Sequence, residues 1–345
     1  MTSATRDAIR SVVEEFVREE LSQENAHIAS AVWSMLDAGG KGLRPQITML
    51  SALACDSEAV EDPLLASYME LIHLATLIHD DVVDAANIRR GRTSLNSAQG
   101  NRFSVLAGDY LFAWVFKKIT QSYDSPVPTI LAAMLSEICN GEVKQLRATG
   151  NLSLGQDQYF EIIGKKTAQL FAACAESGAI VALQRKTKTT GQALRDDPNV
   201  RALRDYGFAF GLAFQVRDDV LDVVANETAL GKPAASDLRE RKVTLPLILA
   251  LEQGDEAFCD LVRQLFTAAR DEGNAGAGSE ATNGLASQRL QAVVTHLRSA
   301  AAVERCREVI RRYTEQARLA LSALPRSEAT VALAALTNTL SEFSF

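Results

Sequence analysis

Two groups of aspartates have the spacing in this chain that is best suited to chemistry. The segments LIHDDVVD and QVRDDVLD each end an apolar stretch, and each places two aspartates four residues apart: Asp80 with Asp84, and Asp218 with Asp222. Residues four apart project from one face of a helix. Like charges held that close repel one another, and burying them is costly unless a cation neutralises them. The pattern therefore indicates a bound cation.

Magnesium is the cation that fits such a pattern. It commonly takes one or two protein carboxylates together with phosphate oxygens of a substrate, and it keeps some waters. A solvated acidic helix end would explain one cluster. The second cluster again follows an apolar stretch, which contains Phe208, Phe210, Leu212 and Phe214. Two such clusters predict one site between facing helices, with several magnesium ions around one diphosphate.

Basic residues lie close to both clusters in the sequence. Arg89 and Arg90 follow the first cluster within one loop, and Lys41 and Arg44 lie in a glycine-flanked turn, where backbone amides can approach an anion. Further candidates are Lys166 and Thr167 on a predicted helix, and Lys232 after the second cluster. Arginine binds phosphate with two parallel hydrogen bonds, and lysine acts as a point charge. Each residue alone is an ordinary surface charge, but together they predict two anion subsites, one on metal and one on Arg and Lys.

Apolar residues recur at helical spacing along nearly the whole chain, so the sequence predicts a single all-α domain over residues 1–345. Asp62 and Pro63 predict a helix start, with that helix running to about Val83. The other predicted helices cover about 100–122, 127–148, 156–183, 198–225, 236–252, 255–271, 285–322 and 326–342, and an amphipathic stripe lies near 9–17. Residues 86–100 are predicted to form a polar, basic loop, and residues 271–284 a mobile one.

The composition narrows the classes of function and location. The net charge of −7 disfavours nonspecific binding to nucleic acid or to anionic membranes. The five cysteines form no CxxC pair, which disfavours a zinc site and a disulfide framework. No apolar run approaches the length of a membrane span, and the N-terminus lacks the apolar core of a signal peptide. A cytoplasmic enzyme is expected.

Several segments then resemble one family, the trans-isoprenyl diphosphate synthases, also called polyprenyl synthetases. The matching segments are GGKGLRP, HLATLIHDDVVDAANIRRG, NRFSVLAGDYL, GEVKQL, KKT, FQVRDDVLD and GKPAASDLRERKVTLP. They cover about residues 25–255 in the family's order, and HLATLIHDDVVD looks most like octaprenyl and solanesyl-type synthases. The resemblance implies the isoprenoid-synthase helical bundle around a central cavity. It also implies a homodimer.

The resemblance implies a role for each matched residue. Asp80, Asp84 and Asp218 would ligate about three magnesium ions on the allylic diphosphate, supported by Asp81, Asp219 and Asp222. The residues implied to contact the allylic substrate are Arg89, Lys166, Thr167, Gln215 and Lys232. The residues implied to hold isopentenyl diphosphate are Lys41, Arg44, His73 and Arg90. Of these groups, Asp80, Asp84, Asp218, Lys166 and Arg89 would take part most directly in catalysis, and His79 is expected to be structural.

The implied reaction joins isopentenyl diphosphate head to tail (1′-4) to an allylic diphosphate, with farnesyl or geranylgeranyl diphosphate as the expected primer. Ala75 and Thr76 precede Asp80 by five and four residues, where the family forms the floor of its product cavity. Because neither is aromatic, a medium to long all-trans product of about C30 to C50 is expected. Replacing Ala75 with Phe should shorten that product.

The chain departs from the family pattern at three positions. Gly42 stands where the family usually has Arg or Lys, and Ala235 and Arg241 stand where glycine is common. The loss of a cation at 42 is expected to weaken the binding of isopentenyl diphosphate. An added cation at 241 is expected to alter closure of the loop after the second motif. None of the three removes a metal ligand.

Other interpretations stay open at this point. Glu24-x-x-His27 and Glu70-x-x-His73 resemble the paired motifs of a di-iron bundle, which would leave both aspartate motifs without a role. A class I terpene cyclase would share the fold and the first motif, but would not need Lys41, Arg44 and Arg90. A geranylgeranyl or farnesyl diphosphate synthase, or a subunit of a heteromeric synthase, would share most of the motifs.

Overall fold

A computed structural model describes residues 7, 10–12, 14–15, 26–37, 39–56, 63–124, 126–188, 191–224, 235–275, 280–299 and 301–341. The described part is all-α apart from one two-stranded hairpin, which confirms the predicted fold class. The predicted stripe near 9–17 and the N-cap Asp62 lie wholly or largely outside the described residues. None of the described helices is long and apolar enough to cross a membrane.

The elements have the following bounds: α1 Ala26–Asp37, α2 Leu43–Cys55, α3 Pro63–Val83, β1 Ile88–Arg89, β2 Arg92–Thr93, α4 Leu95–Gln99, α5 Asn101–Ser122, α6 Val127–Ala148, α7 Gln156–Ile163, a π-turn Gly164–Ala168, α8 Gln169–Thr187, α9 Gln192–Arg195, α10 Pro198–Val224, α11 Ser236–Arg239, α12 Leu245–Gln253, α13 Glu256–Ala275, α14 Glu280–Ser299, α15 Ala301–Leu321 and α16 Glu328–Ser341.

These elements form two compact units. The first unit comprises residues 1–136, 169–208 and 316–337. The second unit comprises residues 137–168, 209–315 and 338–345. The first aspartate motif belongs to the first unit and the second motif to the second unit. The expectation of a single domain stays a prediction.

Helices of the first unit approach one another closely where glycine faces a neighbour. A Cβ atom at Gly178 of α8 would lie 2.1 Å from the carbonyl oxygen of Thr48 on α2. A Cβ at Gly108 of α5 would lie 2.2 Å from Nε2 of His79 on α3. Helix α3 buries a long run of apolar side chains, including Leu74 and Ile78. Each such side chain contributes roughly 1.5–3 kcal/mol on burial, so α3 is a firm support for the aspartates at its end.

Several element boundaries differ from the sequence prediction. The predicted helix 156–183 is interrupted by the π-turn, and the predicted helices 236–252 and 285–322 are each two helices. The predicted loop 86–100 contains the hairpin β1–β2 and the short helix α4. Helices α13 and α14 extend into the predicted loop 271–284, of which residues 276–279 lie outside the described part.

Candidate active site

The first aspartate motif closes helix α3. The backbone amide of Asp84 donates to the carbonyl of Asp80 over 2.8 Å, so the helical turn continues through Asp84. Asp80 and Asp84 are half-buried, whereas Asp81 is only 1% exposed. The predicted sharing of one face by Asp80 and Asp84 is therefore present. These two side chains are partly exposed to solvent, whereas Asp81 is buried within the protein.

Asp81 is neutralised by Arg89 from the following hairpin. Arg89 Nε donates to Asp81 Oδ1 over 2.7 Å, and its Nη2 bonds to the same oxygen. Burial raises the pKa of Asp81, and the Arg89 guanidinium acts in the opposite direction. Asn96 donates to the backbone carbonyl of Asp81 over 3.0 Å. Asp81 is thus a support for the motif, held by a fixed cation.

The hairpin also positions Arg90. Arg90 and Gly91 both have left-handed backbone angles, with φ of 51° and 74°, which form the tight turn between β1 and β2. Arg90 Nη1 donates to the carbonyl of Gly39. A Cβ at Gly40 would lie 3.1 Å from the Arg90 guanidinium. The glycine pair before Lys41 therefore seats Arg90, which brings two predicted anion-binding segments together.

Arg44 and His73 belong to the same surroundings. Arg44 lies in the first turn of α2, not in the turn where the sequence pattern placed it, and its Cζ is 4.6 Å from the Phe171 ring centroid. Burial lowers the pKa of His73 well below its usual value, and the charges of Arg44 and Arg90 lower it further. His73 is therefore neutral beside a cluster of arginines.

The two predicted floor residues lie on α3. Ala75 is fully buried, and Thr76 is half-buried with its hydroxyl donating to the His73 carbonyl over 2.7 Å. His79, which was expected to be structural, has Nε2 3.1 Å from the carbonyl oxygen of Val105 on α5. Its ring also packs on Phe112. These contacts hold α3 against α5 just before the motif.

The second motif closes helix α10 in the second unit. The Asp218 side chain is 43% exposed, whereas Asp219 is only 4% exposed. Tyr159 donates its hydroxyl to Asp219 Oδ2 over 2.6 Å, and Gln215 Nε2 donates to Oδ1 over 2.8 Å. Burial raises the pKa of Asp219 to about 7, although both donors act to lower it. Neither motif spacing nor composition indicates Tyr159, which lies seven residues before Lys166.

Asp222 organises the segment that follows this motif. Its carboxylate accepts from the Ser236 hydroxyl over 2.7 Å and from the Asp237 amide over 3.0 Å. Its backbone carbonyl accepts from the Ala235 amide over 2.9 Å. Both carboxylate oxygens are therefore used within the protein, which suits a supporting role. Lys232 lies outside the described residues.

The π-turn carries Lys166 and Thr167. Thr167 donates its hydroxyl to Gln215 Oε1 over 2.6 Å, and Lys166 Nζ lies 2.7 Å from Glu142 Oε1. Lys166 lines a cavity of about 100 Å³ together with Gln215, Asp219, Tyr159 and Lys242. The structure thus brings together four of the predicted residues of this unit, Lys166, Thr167, Gln215 and Asp219.

Two further residues, one in each unit, lie near predicted site residues but were not themselves predicted to contact substrate. Lys242 lies ten residues after Lys232 in the segment GKPAASDLRERKVTLP. Because this segment matches the family, Lys242 could have been proposed as a site residue from the sequence. Glu70 is buried near Arg44 and Arg90 in the first unit, where burial raises its pKa and both arginines oppose the rise.

The donor set suits magnesium. Within the described residues, no three His, Cys, Asp or Glu side chains form a group that could hold a metal by themselves. Asp80, Asp84 and Asp218 are partly exposed to solvent, whereas Asp81, Asp219 and Asp222 are buried. In each motif taken by itself, one or two partly exposed carboxylates fit a hard cation that completes its shell with phosphate oxygens and waters.

Comparisons with known proteins agree with these motifs. The family model "Polyprenyl synthetase" matches residues 25–277. The chain is 34% identical to an all-trans-nonaprenyl-diphosphate synthase (geranyl-diphosphate specific) of Rhodobacter capsulatus, over 95% of this chain and 92% of that protein. It is 31% identical to heptaprenyl diphosphate synthase component 2 of Geobacillus stearothermophilus, over 92% and 91%.

A solved structure is also similar along nearly the whole chain. The polyprenyl synthase from Caulobacter crescentus CB15, complexed with calcium and isoprenyl diphosphate, has a TM-score of 0.82 and 32% sequence identity. The similarity covers 98% of this chain and 95% of that chain. With the two aspartate motifs in place, these matches exclude a di-iron bundle. This chain belongs to the polyprenyl synthetase family.

Proposed function

We propose that this enzyme joins isopentenyl diphosphate head to tail to an allylic diphosphate, giving a medium to long all-trans polyprenyl diphosphate and releasing diphosphate. The observation that carries the proposal is the state of the six motif aspartates. Asp81, Asp219 and Asp222 are buried and accept hydrogen bonds from protein donors, while Asp80, Asp84 and Asp218 are partly exposed to solvent. The predicted Arg and Lys residues of the two anion subsites lie near these motifs in the sequence. The names of the relatives describe the same class of reaction.

Asp80, Asp84 and Asp218 would hold about three magnesium ions on the allylic diphosphate, as the family resemblance implies. The metal, when bound, would stabilise the negative charge of the departing diphosphate. Arg89, Lys166, Thr167, Gln215 and Lys232 would contact the allylic substrate. The solved Caulobacter relative, with its calcium and isoprenyl diphosphate, supports a divalent cation in this role.

Lys41, Arg44, His73 and Arg90 would bind isopentenyl diphosphate. Their arrangement supports this role because Arg90 is seated on the glycine pair next to Lys41, and His73 is neutral beside Arg44. A neutral imidazole can donate one hydrogen bond to a phosphate oxygen without adding charge. Gly42 supplies no cation of its own, so Lys41 and Arg44 carry that side of the subsite.

The reaction needs the protein to stabilise charge, align two substrates and exclude water. The bond between C1 of the allylic chain and its diphosphate oxygen breaks, and Lys166 with Arg89 stabilises the leaving anion. C4 of isopentenyl diphosphate then forms a bond to C1. The protein favours this step by holding both diphosphates so that the two carbons are aligned. The proton lost from C2 passes to the released diphosphate, so the reaction requires no side-chain base.

Product length depends on the depth of the apolar cavity. Ala75 and Thr76 are small, which supports a product longer than farnesyl diphosphate, of about C30 to C50. Relatives named as nonaprenyl and heptaprenyl synthases agree with this range. Replacing Ala75 with Phe should shorten the main product, and an unchanged product distribution would refute the role of this position.

The deciding experiment measures the product. The purified chain would be incubated with magnesium, farnesyl diphosphate and labelled isopentenyl diphosphate, and the dephosphorylated products would be separated by length. A ladder that ends at one long polyprenol supports the proposal, whereas a stop at geranylgeraniol favours the shorter-chain alternative. Absence of product with farnesyl, geranylgeranyl, geranyl and dimethylallyl primers would favour a subunit of a heteromeric synthase, as the similarity to a component 2 protein suggests.

A homodimer and a cytoplasmic location complete the proposal. Val105 and Leu106 of α5 are exposed apolar side chains, with 40% and 64% exposure, and a second copy would cover them. All five cysteines are free thiols, which agrees with a reducing compartment. Sedimentation of the purified chain tests the dimer, since a monomer at micromolar concentration would contradict it.

A further inference from the structure

We infer that Glu142 of α6 is a positioning residue that holds Lys166 for the allylic diphosphate. The inference rests on the proposed function, because it assigns a role to a partner of the cation that the proposal places on the substrate. Glu142 lies in the segment GEVKQL, which matches the family but received no role from the sequence. Its contacts with the π-turn carry the argument.

The π-turn is an unusual piece of backbone at a functional position. Residues 164–168 interrupt the helical run between α7 and α8, with Gly164 and Ala168 buried and Lys166 and Thr167 between them. A π-turn inserts one extra residue into a helix, is rare, and occurs frequently at functional sites. Such a turn persists where the surrounding structure holds it.

Gly141 permits helix α6 to contact this turn directly. A Cβ atom at Gly141 would lie 2.7 Å from the backbone nitrogen of Lys166 and 3.0 Å from its Cα. Because the atoms in the way belong to the backbone, a larger residue would force the turn or the helix to move. Glycine at this position therefore sets the distance between α6 and the turn. The next residue, Glu142, is placed within reach of Lys166.

The ion pair between Glu142 and Lys166 is close and partly shielded from solvent. Lys166 Nζ lies 2.7 Å from Oε1 and 2.9 Å from Oε2 of Glu142, and both side chains are 19% exposed. A lysine side chain has many rotamers, and the pair restricts Lys166 to those that line the cavity. Lys166 thus lines the same cavity as Gln215 and Asp219 before a substrate arrives.

A second ion pair on the same two elements provides a matched control. Lys165 of the π-turn pairs with Glu137 of α6, five residues before Glu142. Lys166 lines the cavity with Gln215 and Asp219, and Lys165 is not among the residues that line it. Removing the Glu137 charge therefore perturbs the same helix and the same turn without altering the cation that faces the cavity.

The test compares Glu142→Gln with Glu137→Gln in steady-state kinetics with magnesium, farnesyl diphosphate and labelled isopentenyl diphosphate. Glu142→Gln keeps the shape but loses the charge, so KM for farnesyl diphosphate is expected to rise about ten-fold and kcat to fall. KM for isopentenyl diphosphate should stay unchanged. Glu137→Gln is expected to leave all three values within about two-fold of wild type. Equal effects of the two substitutions would overturn the inference.

A double-variant cycle separates positioning from a general loss of structure. If Glu142 acts through Lys166, Glu142→Gln should have no further effect on the KM for farnesyl diphosphate when Lys166 is already Met. Full additivity in that background would refute the inference. Gly141→Ala, which keeps both charges but pushes the turn away, should reproduce the rise in KM, and unfolding temperatures verify that each variant is folded.

The inference can fail separately from the proposed function. Wild-type chain that forms no polyprenyl product with any primer contradicts the proposed function. Binding of magnesium and inorganic diphosphate, measured by calorimetry, then tests Glu142 without turnover. A weaker binding of diphosphate by Glu142→Gln than by Glu137→Gln supports the positioning role, and equal binding by the two variants refutes it.

Discussion

The two aspartate motifs share one spacing but bury their central carboxylates in different ways. Asp81 is held by a cation, the Arg89 guanidinium. Asp219 is held by two neutral donors, the Tyr159 hydroxyl and the Gln215 amide. The difference shows that a repeated sequence pattern determines which aspartates share a helical face, while the neighbouring elements determine how their charge is stabilised.

The segments after the two motifs differ as well. A hairpin follows the first motif at once and returns Arg89 to Asp81 eight residues later. After the second motif, the Asp222 carboxylate accepts hydrogen bonds from Ser236 and Asp237, which lie 14 and 15 residues later in the sequence. The first motif is therefore supported by its own hairpin. The second is supported partly by α7 and partly by the segment around α11.

The largest effect on stability is expected when Arg89 is replaced by Gln. Asp81 then stays buried without its cation, and the free energy of unfolding should fall by about 2–3 kcal/mol at pH 7. This value lies below the usual cost of breaking a buried pair because the Arg89 side chain is 31% exposed. Chemical denaturation measures it. Arg92→Gln is the control, since Arg92 lies opposite Arg89 in the hairpin but is exposed.

The same variant should show a defined pH dependence. Burial raises the pKa of Asp81, and loss of Arg89 raises it further. A raised carboxyl pKa means that the folded state binds the proton more tightly than the unfolded state. The penalty is therefore full above the folded pKa and vanishes as pH falls below the unfolded value of about 4. The stability gap between variant and wild type should narrow from pH 7 to pH 4, and a constant gap would contradict burial as its cause.

A smaller effect is expected for Tyr159→Phe at the second motif. Asp219 loses one hydrogen bond but keeps Gln215, so the free energy of unfolding should fall by about 1.5–2 kcal/mol at pH 8. Tyr313→Phe removes a hydroxyl from a ring that packs on Phe160 in the same unit, and serves as the control. A loss as large as that of Arg89→Gln would show that neutral donors and a cation stabilise the two motifs equally.

The pKa of Asp219 predicts how the stability of the magnesium-free protein changes with pH. Burial raises this pKa to about 7. The protonated carboxyl therefore stabilises the fold fully below pH 4, and this contribution is lost as pH rises through 7. Tyr159→Phe should move the loss to higher pH because the Tyr159 hydroxyl lowers the pKa of Asp219. Titrations followed by unfolding in a chelator measure both profiles, and coincident profiles would contradict the hydrogen bond.

Much of this arrangement was predictable from the sequence, and the remainder has physical reasons. Helix α3 begins at the predicted residue because Pro63 is favoured at the first position of a helix. Helix α6 has the predicted ends because its apolar residues recur at helical spacing over its whole length. The π-turn was not predictable, since its extra residue is stabilised by contact with Gly141 and leaves no mark in the periodicity. Tyr159 and Glu142 were missed because their roles depend on tertiary partners 60 and 24 residues away.

A backbone feature common to both motifs carries the smallest expected effect. Each motif is followed by non-glycine residues with left-handed angles: Ala85 and Arg90 after the first, Ala235 and Arg241 after the second. Positions 235 and 241, where the resemblance led us to expect glycine, have φ of 55° and 57°. Arg241 also packs its guanidinium where a Cβ at Gly150 would collide, and its carbonyl accepts from the Gly150 amide over 2.8 Å.

Comparing Arg241→Gly with Arg241→Ala isolates this strain, because both variants lose the guanidinium. A left-handed angle costs a non-glycine residue roughly 1–2 kcal/mol, which glycine avoids. Glycine loses more freedom on folding, by roughly 0.5–1 kcal/mol. The glycine variant should therefore be more stable than the alanine variant by about 0.5–1 kcal/mol. At Glu240, whose φ is −80°, the order should reverse, so glycine should be the less stable substitution. If the glycine variant is the less stable one at both positions, the left-handed angle at 241 does not destabilise the fold. Arg241 would then differ from the expected glycine only through its side chain.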